Sequence, residues 1–101
     1  MPNQSIIPPR DGDGYLVEMD LWTREIATAM AQEDGIAIND EMWSQISSAR
    51  QFFDDNGVVP PIRKFSKYLG VDNKQLFDLW KNGPMKPITK YGGLPKPRGC
   101  V

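Results

Sequence analysis

The chain has 101 residues, twelve basic and thirteen acidic side chains, no histidine and one cysteine. That length fits one small domain, and 40% apolar with 25% charged residues is ordinary for a soluble globular chain. Without histidine, serine–histidine and cysteine–histidine catalysis and the commonest transition-metal ligand are excluded; one cysteine builds neither an internal disulfide nor a cysteine-rich zinc site. No metal site is expected. No run approaches the ~20 apolar residues of a membrane span, and Met1-Pro2-Asn3-Gln4 does not open a secretory signal, so a cytoplasmic protein without membrane contact is expected.

The net charge of −1 hides an asymmetry. Residues 1–61 hold three basic groups (Arg10, Arg24, Arg50) against eleven acidic ones, a balance of −8, whereas 62–101 hold nine against two, a balance of +7. Either the basic half meets an anionic partner or the two halves attract each other on folding.

In chain order, Pro8-Pro9 bars a helix at the start, and Asp11-Gly12-Asp13-Gly14 carries two Asp-Gly turn signals between Ile6–Ile7 and Tyr15–Val17, a pattern that predicts a small β-hairpin. Asp20 is the expected N-cap of a first helix over 21–33, with Leu21, Trp22, Ile26, Ala29 and Met30 on its apolar stripe. Asn39 or Asp40 starts a second helix, 40–55, which Gly57 ends. Pro61 opens a third, 61–69, whose inward residues are Ile62, Phe65, Tyr68 and Leu69. Asp72, with Gln75 at capping-box spacing, starts a fourth, 73–81, with Leu76, Phe77, Leu79 and Trp80 on its apolar face. Pro87 limits a fifth, around 85–91, to a short or frayed piece. The short helices 61–69 and 73–81, joined by Gly70-Val71-Asp72, have helix-turn-helix spacing; DNA reading through Lys74, Gln75 and Lys81 is a weak expectation, because short helix pairs are common and the net charge is not basic.

The chain should therefore be mainly α: a small orthogonal bundle of about five helices with an N-terminal β-hairpin, a helix-turn-helix-like element and a flexible C-terminal arm. The single helical domain is expected over 1–91. The arm is expected over 92–101, with Gly92-Gly93 as hinge, Pro95 and Pro97 as stiffeners and a reach of roughly 30 Å.

Cys100 is the sharpest chemical feature. A thiol on a Gly- and Pro-rich terminus is a poor packing residue, and Lys96 and Arg98 nearby favour its thiolate, while the carboxylate of Val101 opposes them. The carboxylates Glu33, Asp34, Asp40, Glu41, Asp54 and Asp55 read as helix-end residues. Counted from Asp11, the twelfth position of a calcium loop holds Trp22 instead of glutamate.

The ending Gly92-Gly93-Leu94-Pro95-Lys96-Pro97-Arg98-Gly99-Cys100-Val101 resembles the C-terminal signature of the DsrC/TusE family. The resemblance extends through Asp13-Gly14-Tyr15-Leu16, the Trp22 helix, Gly35-Ile36 with Trp43, and Gly83-Pro84. It implies a helical fold whose penultimate cysteine carries sulfur as a persulfide, with no cofactor beyond that covalent sulfur. It also implies partner proteins visited by the arm: a TusBCD-like sulfur donor complex and a tRNA thiouridylase acceptor in the TusE branch, and dissimilatory sulfite reductase in the DsrC branch, where the family member was labelled the gamma subunit. DsrC proper uses a second cysteine separated from the first by ten intervening residues; here that position is Thr89, which favours the single-cysteine TusE-like branch. The segment Gly70–Leu79, short beside typical DsrC chains, points the same way, and Pro87 is unlike the family pattern. Lys86, Lys90, Lys96 and Arg98 are the expected partner-docking residues, steering the arm into an acidic cleft or toward tRNA held by the partner. Direct DNA binding is not expected, although a non-catalytic regulatory or nucleic-acid-binding module is the reading left if Cys100 carries no sulfur.

Overall fold

A computed structural model describes residues 7–81 and 83–96. Among them are five α-helices: α1 (Arg24–Glu33), α2 (Asp40–Asn56), α3 (Ile62–Leu69), α4 (Asn73–Trp80) and α5 (Met85–Tyr91). No residue among those described lies in a β-strand.

The expected hairpin reduces to one antiparallel bridge between Arg10 and Leu16. The turn itself forms: the Gly14 amide donates to the Asp11 carbonyl at 3.0 Å, and Asp11 Oδ1 accepts the amides of Asp13 and Tyr15 at 2.9 and 3.0 Å. A ladder does not propagate because Pro8 and Pro9 bring no N–H, and only the Pro9 carbonyl contributes, accepting from Val17 at 3.1 Å. Ile6, one half of the expected pairing, lies outside the described residues.

The first helix starts later than its periodicity implied. Thr23 is the N-cap, its hydroxyl accepting the Ile26 amide at 3.1 Å, and Met19–Leu21 form a 3-10 turn instead. Asp20 therefore caps nothing, and Trp22 sits in extended backbone between the two elements. Of the two candidates for α2, Asn39 is the cap, accepting from the Met42 amide at 2.8 Å. The Asp72–Gln75 capping box forms on α4, with Gln75 Oε1 accepting the Asp72 amide at 3.1 Å. Gly57 and Gly70 end α2 and α3 in left-handed backbone.

One continuous core gathers Ile26 and Met30 of α1, Ile46 and Ala49 of α2, Phe65, Leu76, Trp80, and Met85, Ile88 and Tyr91 of α5. Tyr68 and Phe77, expected to face inward, are exposed. On helices of only two turns each lies about 100° from an inward neighbour, the partly buried Leu69 or the buried Leu76, and one stripe is all that the core accommodates. Tyr68 instead sets its edge on the Phe52 ring, centroids 5.3 Å apart. Inside, Trp80 Nε1 donates to the buried Gln45 Oε1 at 2.6 Å, satisfying both polar groups.

The fifth helix is short, with the expected bounds, but it is firmly packed. It packs against both α1 and α2, and Met85, Ile88, Thr89 and Tyr91 are buried. Pro87 occupies the third helical position, where its missing N–H would have had no partner within the helix. This helix sets the position of everything that follows it, including the start of the arm.

Candidate functional site

Among the described residues, the expected site residues are Lys86, Lys90 and Lys96; Arg98 and Cys100 lie outside the described residues. The three lysines line one cavity of about 320 Å³, together with Asp13, Tyr15, Pro87 and Tyr91. Lys86 and Lys90 share a face of α5 through their four-residue spacing, and Lys96 arrives from the segment after it.

Two of these cations are held by acids from the other half of the chain. Lys90 Nζ pairs with Asp34 Oδ2 at 3.0 Å, and Lys96 Nζ with Asp13 Oδ2 at 2.9 Å. Lys86 is exposed and makes no ion pair among the described residues. The charge asymmetry of the sequence thus resolves partly as attraction between halves, while Arg10 pairs with Glu33 at 2.8 Å within the acidic half.

Asp34 accepts a second hydrogen bond, from the Tyr91 hydroxyl at 2.6 Å. Burial pushes its carboxyl up, but the bonds from Tyr91 and Lys90 and the charge of Lys90 outweigh this and hold it below its ordinary range. Tyr91 moves the other way, raised by burial and by the Asp34 charge. Burial likewise raises Tyr15, opposed by its hydrogen bond with Thr89 and by Lys96. The Asp13 bond raises Lys96. Lys96 therefore stays charged, and Tyr15 and Tyr91 stay neutral, at physiological pH.

Thr89 lies on α5, fully buried, its hydroxyl donating to the Met85 carbonyl at 2.7 Å with the Lys86 carbonyl at 3.1 Å. A threonine suits that spot because its hydroxyl can bond back to its own helix.

The start of the arm is packed. The amides of Gly92, Gly93 and Leu94 donate to Ile88, Lys90 and Thr89 carbonyls at 3.0, 3.3 and 2.9 Å, and Leu94 is 3% exposed. A Cβ on Gly93 would stand 2.5 Å from Trp22 Cδ1, and one on Gly92 would stand 2.7 Å from the Ile88 oxygen. Gly92 and Gly93 thus lie in close contact with Ile88 and Trp22, and the packing continues to Leu94. Trp22 Nε1 donates to the Tyr91 carbonyl at 2.6 Å, Arg50 donates to the Gly92 carbonyl, and the Arg50 guanidinium lies 3.9 Å from the centre of the Trp22 ring.

The sequence reading missed Asp13, Tyr15, Asp34 and Tyr91 around the cavity and Arg50 behind the arm. Arg50 carried a usable signal, being one of only three cations in the acidic half; the others look like ordinary turn, helix-end and core residues.

A family model described as DsrC like protein matches residues 5–101. The chain belongs to the DsrC-like family. This DsrC-like protein is 31% identical over 98 residues to a sulfurtransferase TusE of Pectobacterium atrosepticum, covering 90% of each chain. It is 35% identical over 92 residues to the dissimilatory-type sulfite reductase subunit gamma of Nitratidesulfovibrio vulgaris, covering 90% of this chain and 88% of that one. Its fold matches the solution structure of Allochromatium vinosum DsrC with a TM-score of 0.82 at 32% identity, over 90% of this chain and 88% of the other. Overall identity does not separate the two kinds of relative; the residues around α5 and the arm have to. No helix among the described residues is long and apolar enough to cross a membrane.

Proposed function

We propose that this DsrC-like protein is a sulfur carrier of the TusE kind, with Cys100 as the carrying residue. The observation behind this reading is Thr89: at the position where the two-cysteine branch has its second sulfur there is a buried hydroxyl bonded to its own helix, so Cys100 is the only thiol in the chain. One thiol suffices for relay. The Cys100 thiolate attacks the outer sulfur of a donor persulfide, the donor S–S bond breaks, the donor thiolate leaves, and the sulfur remains on Cys100 as a persulfide with no net oxidation. Reversing the roles passes it to an acceptor. No histidine is needed on this chain, since proton transfer falls to the partner.

Lys86, Lys90 and Lys96 supply a cationic approach beside the arm, with Arg98 on the arm itself, and an acidic partner cleft fits them. The donor is a TusBCD-like complex and the acceptor a tRNA thiouridylase, working in the cytoplasm. The gamma-subunit relative at 35% identity favours one alternative, association with a sulfite reductase, which co-purification with a siroheme protein would support.

The test is intact-mass measurement after mixing with a persulfidated donor. Cys100 should gain the mass of one sulfur atom, and Cys100→Ser should gain none while keeping its fold. A donor that discharges to other thiols but leaves Cys100 unmodified refutes the carrier reading. Nucleic-acid binding that weakens steeply with salt and survives Cys100→Ser would favour a binding module instead.

A further inference from the structure

The backbone at Tyr91 and Gly92 is gripped from two sides. The Trp22 indole N–H holds the Tyr91 carbonyl at 2.6 Å, Arg50 holds the next carbonyl, that of Gly92, and the Arg50 guanidinium stacks on the Trp22 ring at 3.9 Å. The two gripping side chains therefore fix each other as well as the backbone. Gly93 passes beneath Trp22 with no room for a methyl group, and Leu94 is buried and bonded back to Thr89. Beyond that the character changes: Pro95 and Lys96 are exposed, and Lys96 is held by a solvent-exposed ion pair with Asp13.

These contacts satisfy the last carbonyls of α5, but they come from two remote elements, the extended residue before α1 and the middle of α2. Water would satisfy the same carbonyls on an exposed helix end. Arg50 moreover is pulled out of water to make its bond, with Asp54 one turn on as its nearest compensating charge.

We propose that Trp22 and Arg50 are positioning residues that clamp the root of the arm and move its swing point from Gly92-Gly93 to Pro95. The purpose rests on the carrier reading; the clamp itself does not. Counted from Pro95, the six residues to Cys100 can reach at most roughly 20 Å, against roughly 30 Å for the nine counted from Gly92, so the volume within reach of Cys100 shrinks about threefold. A docked partner meets the thiol at a correspondingly higher local concentration, and from one direction.

Backbone ¹⁵N relaxation on the full reduced chain tests this. In the wild type, the amides of Gly92, Gly93 and Leu94 should have order parameters near those of a rigid backbone, about 0.85, with a fall at Lys96. In Arg50→Met/Trp22→Phe, which keeps the apolar bulk and removes both donors, the same three amides should fall below about 0.6 while Ala49 and Ile88 stay rigid. A rigid Gly92–Leu94 in that variant overturns the proposal, because packing alone then holds the root. Order parameters already below about 0.6 at Gly92–Leu94 in the wild type overturn it too, and need no variant to fold. Cys100→Ser should leave the relaxation profile unchanged. A rigid root in a chain whose Cys100 takes up no sulfur refutes the carrier and leaves the clamp standing.

Discussion

Gly93→Ala probes the packed root most directly. Gly93 has φ +68°, and an added Cβ would lie 2.5 Å from Trp22 Cδ1 and 2.8 Å from its Cβ and Cγ. Two costs combine. Left-handed backbone costs a non-glycine residue about 1–2 kcal/mol, and forcing a methyl group into a filled site costs about 1–3 kcal/mol more. Gly35→Ala is the internal control: Gly35 has φ +75° but nothing within 4 Å of its Cβ position, so it carries only the backbone cost. The difference between the two variants, about 1–3 kcal/mol, isolates the Trp22 contact. Guanidinium titrations followed by tryptophan fluorescence measure both midpoints, with unchanged slopes showing that the unfolded states are comparable. The full Gly93→Ala penalty corresponds to a melting temperature lower by on the order of 10–30 °C. Trp22→Ala in the Gly93→Ala background should recover the steric part in a double-mutant cycle. If Gly93→Ala costs no more than Gly35→Ala, the arm root is not packed beneath Trp22, and the hinge reading of the two glycines returns.

Two further outcomes test the interior and the cavity. Gln45→Leu leaves the buried Trp80 indole N–H without its acceptor and should cost about 1–3 kcal/mol by the same titration, whereas a neutral result would mean that water reaches Trp80. Asp34→Asn should weaken the fold at neutral pH by less than ~1 kcal/mol, because the carboxylate is partly exposed and its pairing is screened. Since the Asp34 carboxyl titrates below its ordinary 3.8 when folded, its contribution is complete above that pH and fades as pH falls through the folded value. The gap between wild type and variant should therefore close on the acid side; a gap that widens there would contradict the pairing with Tyr91 and Lys90.

Much of the helical fold was legible because it is local. Asn39, Asp72 with Gln75, Gly57 and Gly70 declare helix ends through chemistry confined to one turn, and all stand where those signals put them. The failures share one cause, competition from far along the chain. Trp22 has helical spacing with Ile26, yet its indole reaches Tyr91, and the backbone it occupies is extended. Pro87, read as limiting α5 to a short or frayed piece, stands at the third position of a seven-residue helix that is short but not frayed, a fact that depends on where the helix starts. Gly92-Gly93 read as freedom because the side chain that crowds them is far away in sequence. At the site, the lysines were found from charge and position, but the acids that hold them, Asp13 and Asp34, belong to segments that only the fold brings near.

The indole bond from Trp22 to the Tyr91 carbonyl closes a loop of 69 positions, and the Arg50 bond closes one of 42. Contacts of such separation form late, because their chain entropy must be overcome after the local helices exist. The segment that presents the arm is therefore among the last parts of the molecule to be secured, and it is secured only when the entry to α1, the middle of α2 and the end of α5 have met. A chain still growing, or one that has begun to open, has no such anchorage. Orderly presentation of the C-terminal segment is in this sense a report on the completeness of the whole fold.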